Sequence, residues 1–235
     1  SHPIELNLHR IPNLSEHFVY FCDDMLLNNA VTPDFFFRKG KPCDFLQCRH
    51  IHFASANDIY AHITTNDVME INRHYSYIKT FLLHPWKIMS RNYGVSICLK
   101  NILKLGNVHR FVGFQNHHLP TSYIKQTFLD VWSAMPERMD EVSGNRFRTP
   151  FDVSQSVFRY WQLVSGRFYP VSPTSRGERL CISDRFDQVE AVLKDPTVKM
   201  VCLNDTPDDV DFEQTMAQIV VIYEEKLPNK SIFEK

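Results

Sequence analysis

The chain has 235 residues, of which 43% are hydrophobic and 13% aromatic, enough for one large domain or two small ones with a developed core. Its 26 basic and 27 acidic side chains leave a formal net charge of −1, which removes the electrostatic case for a nucleic-acid-binding protein. No apolar run approaches the roughly 20 residues that span a bilayer, and no signal peptide is visible.

In chain order the pattern is mixed α/β, without internal repeats. The sequence opens at Ser1 directly into an amphipathic segment, so a preceding portion is expected. Phe18 to Cys22 has strand character and stops at two adjacent acids, Asp23 and Asp24. Residues 28 to 53 read as irregular, punctuated by Asn28, Asn29, Pro33, Gly40 and Pro42, with Phe35 to Phe37 tucked into a core. Asn57 to Tyr75 is predicted helical, with Ile59, Ile63 and Ile71 on one face. Pro85 to Leu105 reads as two short helices broken near Gly94. Phe111 to Phe114 is a candidate strand, and helices are expected at 121–133, 150–165, 186–194 and 211–226. Phe168 to Gly177 is the expected loop excursion. Further apolar runs, Arg179 to Ser183 and Val198 to Leu203, end at Asp184 and at Asn204–Asp205.

Carboxylates just beyond strand ends are well placed for a metal or phosphate in an open α/β sheet, because ligands of such sheets bind outside the strands' carboxyl ends. If the three strands lie parallel in one sheet, their acids share an edge; taken alone, most such acids are solvated turn residues or helix caps. His118 is expected just ahead of a helix capped by Thr121, and Arg148 just ahead of one capped by Thr149 with Pro150 at its first position. An Arg beside unpaired helix N–H groups makes an anion site. The plainer readings are a backbone-bonded His118, a surface pair of Arg148 with Glu141, and Asp152 as the acid of a capping box. His50 and His52 lack a third metal ligand, and Val157, Phe158, Trp161 and Val164 read as core. The six cysteines lack paired spacing and read as free thiols of a reducing compartment.

HRIPNLSEHFVYFCDDMLL resembles the second signature block of the Stealth family. These sugar-phosphate transferases include bacterial capsular polysaccharide phosphotransferases and the catalytic subunit of the lysosomal-enzyme N-acetylglucosamine-1-phosphotransferase. GFQNHHLPTSYIKQTFLDVW and RFRTPFDVSQSVFRYWQLVSG resemble the third block, and VKMVCLND with LPNKSIFEK the fourth. The resemblance implies a nucleotide-sugar-transferase-like α/β fold with a mixed or mostly parallel sheet flanked by helices. It implies that residues 1–235 are one catalytic domain lacking its amino-terminal part, within which the periodicity suggests a helical subregion at about 55–108. It also implies transfer of a hexose-1-phosphate from a nucleotide diphosphosugar to a hydroxyl of an acceptor glycan, making a phosphodiester in capsule or exopolysaccharide synthesis.

By position in the motifs, the resemblance assigns catalytic roles to Asp24, His118, Arg148 and Asp205, and substrate contacts to Asp23 and Asn204. Proton handling falls to Asp24 or His118, phosphate charge to Arg148, and a metal or diphosphate contact to Asp205, with a divalent metal, Mg²⁺, expected at Asp24 and Asp205. A cytoplasmic enzyme at the inner membrane face, peripherally associated with the membrane capsule machinery, is expected. Cys22 stands where the family usually has Asn, and the family's first block, of Trp-Val-Asp-Gly type, is absent. SHPIE matches the middle of the second block, so this fragment alone is expected to be inactive or poorly folded. The alternatives are a glycosyltransferase that moves the sugar without its phosphate and a non-catalytic glycan-binding or assembly module.

Overall fold

The computed structural model describes residues 2–105, 109–182, 186–204, 212–230 and 232. The strands are β1 His17–Tyr20, β2 Met25–Leu27, β3 Phe37–Arg38, β4 Lys41–Asp44, β5 Thr121–Ile124, β6 Tyr169–Pro170, β7 Glu178–Cys181 and β8 Met200–Asn204. The helices are α1 His2–Leu6, α2 Pro33–Phe36, α3 Ile59–His74, α4 Tyr77–Leu83, α5 Pro85–Ile88, α6 Gly94–Leu105, α7 Lys125–Ala134, α8 Pro136–Ser143, α9 Ser156–Val164, α10 Phe186–Lys194 and α11 Phe212–Lys226. The class is the expected mixed α/β. The strands form three small sheets: the antiparallel pair β1-β5 and two mixed three-stranded sheets, ordered β2-β8-β7 and β3-β4-β6. Two compact units result, one from residues 1–20, 32–116 and 121–173, the other from 21–31, 117–120 and 174–235. Among the described residues, no helix is long and apolar enough to cross a membrane.

The first unit is built around α9, whose residues Val157 to Val164 are all buried, as a helix enclosed on every side requires. Phe158 stacks on Phe128 of α7 at 3.7 Å and Tyr160 on Phe114 at 4.3 Å. The expected core stripe of Val157, Phe158, Trp161 and Val164 is buried as read. Within this core, Arg159 grips Asp44 through two bonds of 2.8 Å, satisfying a charge pair that would be costly to bury unmatched. The helix α3 starts where Asp58 accepts from the Ala61 N–H at 3.0 Å.

Two expected helix starts are corrected. Thr121 does not cap a helix: Thr121 to Ile124 form β5, antiparallel to β1, with Phe18 opposite Tyr123 and His17 opposite Ile124. Buried Gln162 stitches this strand in place, accepting from the Ile124 N–H and donating to the Ser122 carbonyl. The helix begins only at Lys125. Likewise α9 begins at Ser156, not at Pro150. Asp152 accepts from the Thr149 N–H and hydroxyl, so the capping-box contacts close a single turn. Asn66 of α3 donates to the carbonyls of Pro150 and Asp152, while Asp67 accepts from the Ser154 N–H and hydroxyl. Those bonds, from residues distant in the same chain, hold residues 150–154 out of helical geometry. Phe111 to Phe114 contributes one isolated bridge, Cys48 to Phe114, instead of a strand.

The second unit is a sheet with helices on one face. Val201 and Leu203 of β8, with Ile182, pack against Val189 and Leu193 of α10 and Ile219 and Ile222 of α11. The strand β8 is central, antiparallel to β2 and parallel to β7. Gly177 begins this arrangement at φ 151, and a Cβ there would meet the Met200 carbonyl oxygen at 2.1 Å, so only glycine lets β7 approach β8. At the other end, the Asn28 side chain donates to the carbonyls of Val192 and Val198, and that of Asn29 to Asp195 and Val198. The two asparagines read as loop punctuation therefore buckle β2 to its neighbours.

Candidate active site

The acid pair reaches the end of β8 by entering its own strand. Because β2 runs antiparallel to β8, with Met25 opposite Cys202 and Leu27 opposite Met200, the residues preceding β2 lie beside the carboxyl end of β8. The Asp24 carbonyl accepts from the Leu203 N–H at 2.9 Å, which holds Asp24 there. On the other side, β7 pairs Arg179 with Cys202 and Cys181 with Asn204, and the Asn204 carbonyl accepts from the Ile182 N–H at 2.9 Å. Of the three strands expected to lie parallel in one sheet, β7 and β8 do, whereas β1 pairs with β5 in the other unit; Asp24 is brought to the end of β8 by the antiparallel β2 instead.

His118 belongs to the same unit. It sits at φ 50, in the left-handed region that costs a non-glycine residue about 1 kcal/mol or more, between buried Leu119 and the preceding half-buried His117. The residue is exposed overall, yet desolvation of its ring is the main cause that lowers its pKa from the usual imidazole value. The Arg179 guanidinium lowers it further, while Asp24 and Asp23 oppose the shift. A neutral imidazole at pH 7, beside carboxylates and a cation, can accept a proton.

Cys202 lies in the middle strand between these charges. Burial pushes its thiol up to about 11, Asp24 adds to the rise, and Arg179 opposes it. The same two side chains thus act on both His118 and Cys202, which places Asp24, Arg179 and His118 in one electrostatic neighbourhood. Arg179 escaped the sequence reading, where it only opened a strand; the available signal was a cation inside the otherwise apolar RLCI run. Among the described residues, no three His, Cys, Asp or Glu side chains converge on a metal-holding geometry. The carboxylates of Asp23 and Asp24 are the hard oxygen donors that Mg²⁺ takes, and such ions complete their shells with water and substrate phosphate.

Of the expected site residues, Asp23, Asp24, His118 and Asn204 are gathered in the second unit. Asp205 and Asp184 lie outside the described residues. Arg148 belongs to the first unit, exposed, ahead of the Thr149–Asp152 turn. There it acts on His2, whose pKa is lowered mainly by burial, with Glu5 opposing and Arg148 reinforcing the shift. Glu141, its expected partner in the plain reading, bonds Arg138 at 2.6 Å. All six cysteines are free thiols.

Residues 1–44 match the family model described as Stealth protein CR2, conserved region 2. The whole chain is 36% identical to the exopolysaccharide phosphotransferase cps2G of Lactiplantibacillus plantarum, over 68% of that protein. The chain belongs to the Stealth family. It is also 33% identical to the receptor polysaccharide phosphotransferase WefC of Streptococcus gordonii and 31% identical to the capsular polysaccharide phosphotransferase WcwK of Streptococcus pneumoniae, each time over 69% of the relative and all of this chain. The Stealth region matched includes Asp23 and Asp24 and runs from α1 to the end of β4, so it contributes to both units.

Proposed function

We propose that this protein transfers a hexose-1-phosphate from a nucleotide diphosphosugar to a hydroxyl of an acceptor glycan, forming a phosphodiester in capsular or exopolysaccharide synthesis. The similarity that runs the length of the chain to relatives named polysaccharide phosphotransferases carries this reading. In the reaction, a bond forms between the acceptor oxygen and the phosphorus that bears the sugar. The bond from that phosphorus to the nucleoside monophosphate breaks, and its electron pair leaves on the nucleotide oxygen.

His118, neutral at physiological pH, takes the acceptor's proton, and the nearby carboxylate of Asp24 steadies the imidazolium that forms. Arg179 supplies positive charge from within the same neighbourhood, and Arg148 keeps the phosphate-binding role that its motif position implies. Asp24 and Asp205 would hold Mg²⁺, whose chemistry is to neutralise charge on the diphosphate. We assign the work to the inner face of the membrane, the location that the similarity to capsule enzymes implies.

Product analysis on the full-length protein tests the reading. A donor labelled at the phosphorus attached to the sugar should yield a labelled phosphodiester and release nucleoside monophosphate. A plain glycosidic product with release of nucleoside diphosphate would overturn it in favour of simple glycosyl transfer.

A further inference from the structure

Residues 75–105, which contain α4, α5 and α6, hold Lys79, Lys87, Arg91, Lys100 and Lys104 and no Asp or Glu, although the whole chain has a net charge of −1. The three helices form one layer of the first unit through Asn101. Its side chain donates to the carbonyls of Leu46 and Ile88 at 2.9 Å, and its own carbonyl accepts from the Tyr77 hydroxyl at 2.6 Å. One face of α6 is thereby committed to the core, with Asn101 fully buried and Ile97 and Cys98 packed against it.

The opposite face of α6 is also apolar, and it faces solvent. Val95, Leu99, Ile102 and Leu103 fall at i, i+4, i+7 and i+8, which makes a stripe about 100° wide. Their exposures are 85%, 53%, 36% and 62%. Trp86 and Leu82 of the same layer are 66% and 71% exposed. Lys100 borders the α6 stripe by helical spacing. Solvent-exposed apolar stripes of this size mark a docking surface. A helix of 12 residues is about 18 Å long, too short to cross a hydrocarbon core of about 30 Å but suited to lying in the interface.

We propose that the α4–α6 layer docks on an anionic phospholipid surface, with α6 lying in the plane of the interface. The charge argues for lipid over a second copy of the chain: Lys87 is buried against the Gly166 and Phe168 carbonyls, but Lys79, Arg91 and Lys100 are exposed in a segment without acids, so two such layers would repel each other whereas phosphate headgroups complement them. Trp86 adds the aromatic side chain that favours the headgroup boundary. The inference names the surface behind the membrane placement above and is independent of the sugar-phosphate chemistry.

Sedimentation of the full-length protein with large unilamellar vesicles tests it. Vesicles with about one third phosphatidylglycerol should bind the protein, and pure phosphatidylcholine should bind it at least about 10-fold more weakly. Leu99→Glu with Leu103→Glu should lose binding at least about 10-fold with an unchanged thermal melt, and Leu99→Ser with Leu103→Ser provides a milder pair in case the charges unfold the helix. Lys79→Gln with Lys100→Gln, which removes two exposed cations of the layer, should lose the preference for anionic vesicles. No binding to phosphatidylglycerol vesicles, or equal binding by the Leu99/Leu103 variants, overturns the proposal. So does a lipid-free dimer that those variants dissociate in light scattering, which would make a second copy the occupant. Carbene labelling that finds α6 already shielded in the lipid-free protein would assign the face to the chain's own remaining segments and also overturns it.

Discussion

The N–H of Leu203 donates to the carbonyl of Asp24 at 2.9 Å, so the acid pair of the amino-terminal region is a neighbour of the carboxyl end of β8. Asp24 is therefore positioned by backbone, independently of its carboxylate. Asp24→Asn should leave the fold and melting temperature unchanged and reduce turnover of the full-length enzyme by about 10²-fold or more. Wild-type turnover in that variant would remove Asp24 from the mechanism.

Arg179 lowers the pKa of His118 after the larger contribution of burial. Removing the guanidinium in Arg179→Gln should therefore raise it. If His118 must be neutral to accept a proton, the acidic limb of the kcat/KM profile should move to higher pH, and activity at pH 6 should fall more than at pH 8. A profile that keeps its acidic limb would sever Arg179 from His118, or His118 from proton transfer.

Arg148 is exposed, so exchanging it for Lys should not disturb the core. An ammonium keeps the charge but loses the planar fork that grips two oxygens. Steady-state kinetics should show turnover of Arg148→Lys reduced by at least about 10-fold at an unchanged melting temperature. Normal kinetics would retire the phosphate-binding role and leave a surface cation.

Asp67 is fully enclosed, and burial pushes its carboxyl up to about 8 despite the bonds from Ser154. The folded state then binds a proton that the unfolded carboxyl releases near pH 4. Stability should accordingly fall as pH rises from about 4 towards 8, by at most about 1.4 kcal/mol per pH unit from this group. Asp67→Asn, which preserves an acceptor for the Ser154 N–H and offers a donor to its hydroxyl, should flatten that decline. Denaturant melts of both proteins at pH 5 and pH 8 provide the check; equal slopes would show that Asp67 is ionised in the folded state.

Much of the layout was legible locally. Periodicity located α3, α10 and α11 to within a few residues, because an amphipathic stripe and its caps are written in adjacent positions. The break at Gly94 is similarly local: the residue sits at φ 75, a conformation that glycine adopts without steric cost. The acids after Tyr20 and the strand at Met200 to Asn204 could likewise be seen as strand-end features, and the motif order pointed to the family that the comparisons show.

The rest depended on partners distant in the chain. Thr121 to Ile124 has side chains compatible with either state, and pairing with β1 decides for strand. Thr149 and Pro150 carry the local signals of a helix start, but Asn66 and Asp67 bind the backbone that the helix would need. A sequence of strand-end acids also leaves open how they meet: only the antiparallel pairing of β2 with β8 carries Asp24 to Leu203, and only the parallel pairing of β7 sets Arg179 beside Cys202. The sequence by itself determined the helical stripes, the strand-end acids and the family, since each resides in residue types at short spacing. The tertiary structure alone decided strand pairing and the recruitment of Arg179, since hydrogen-bond partners across a sheet have no signature in local order.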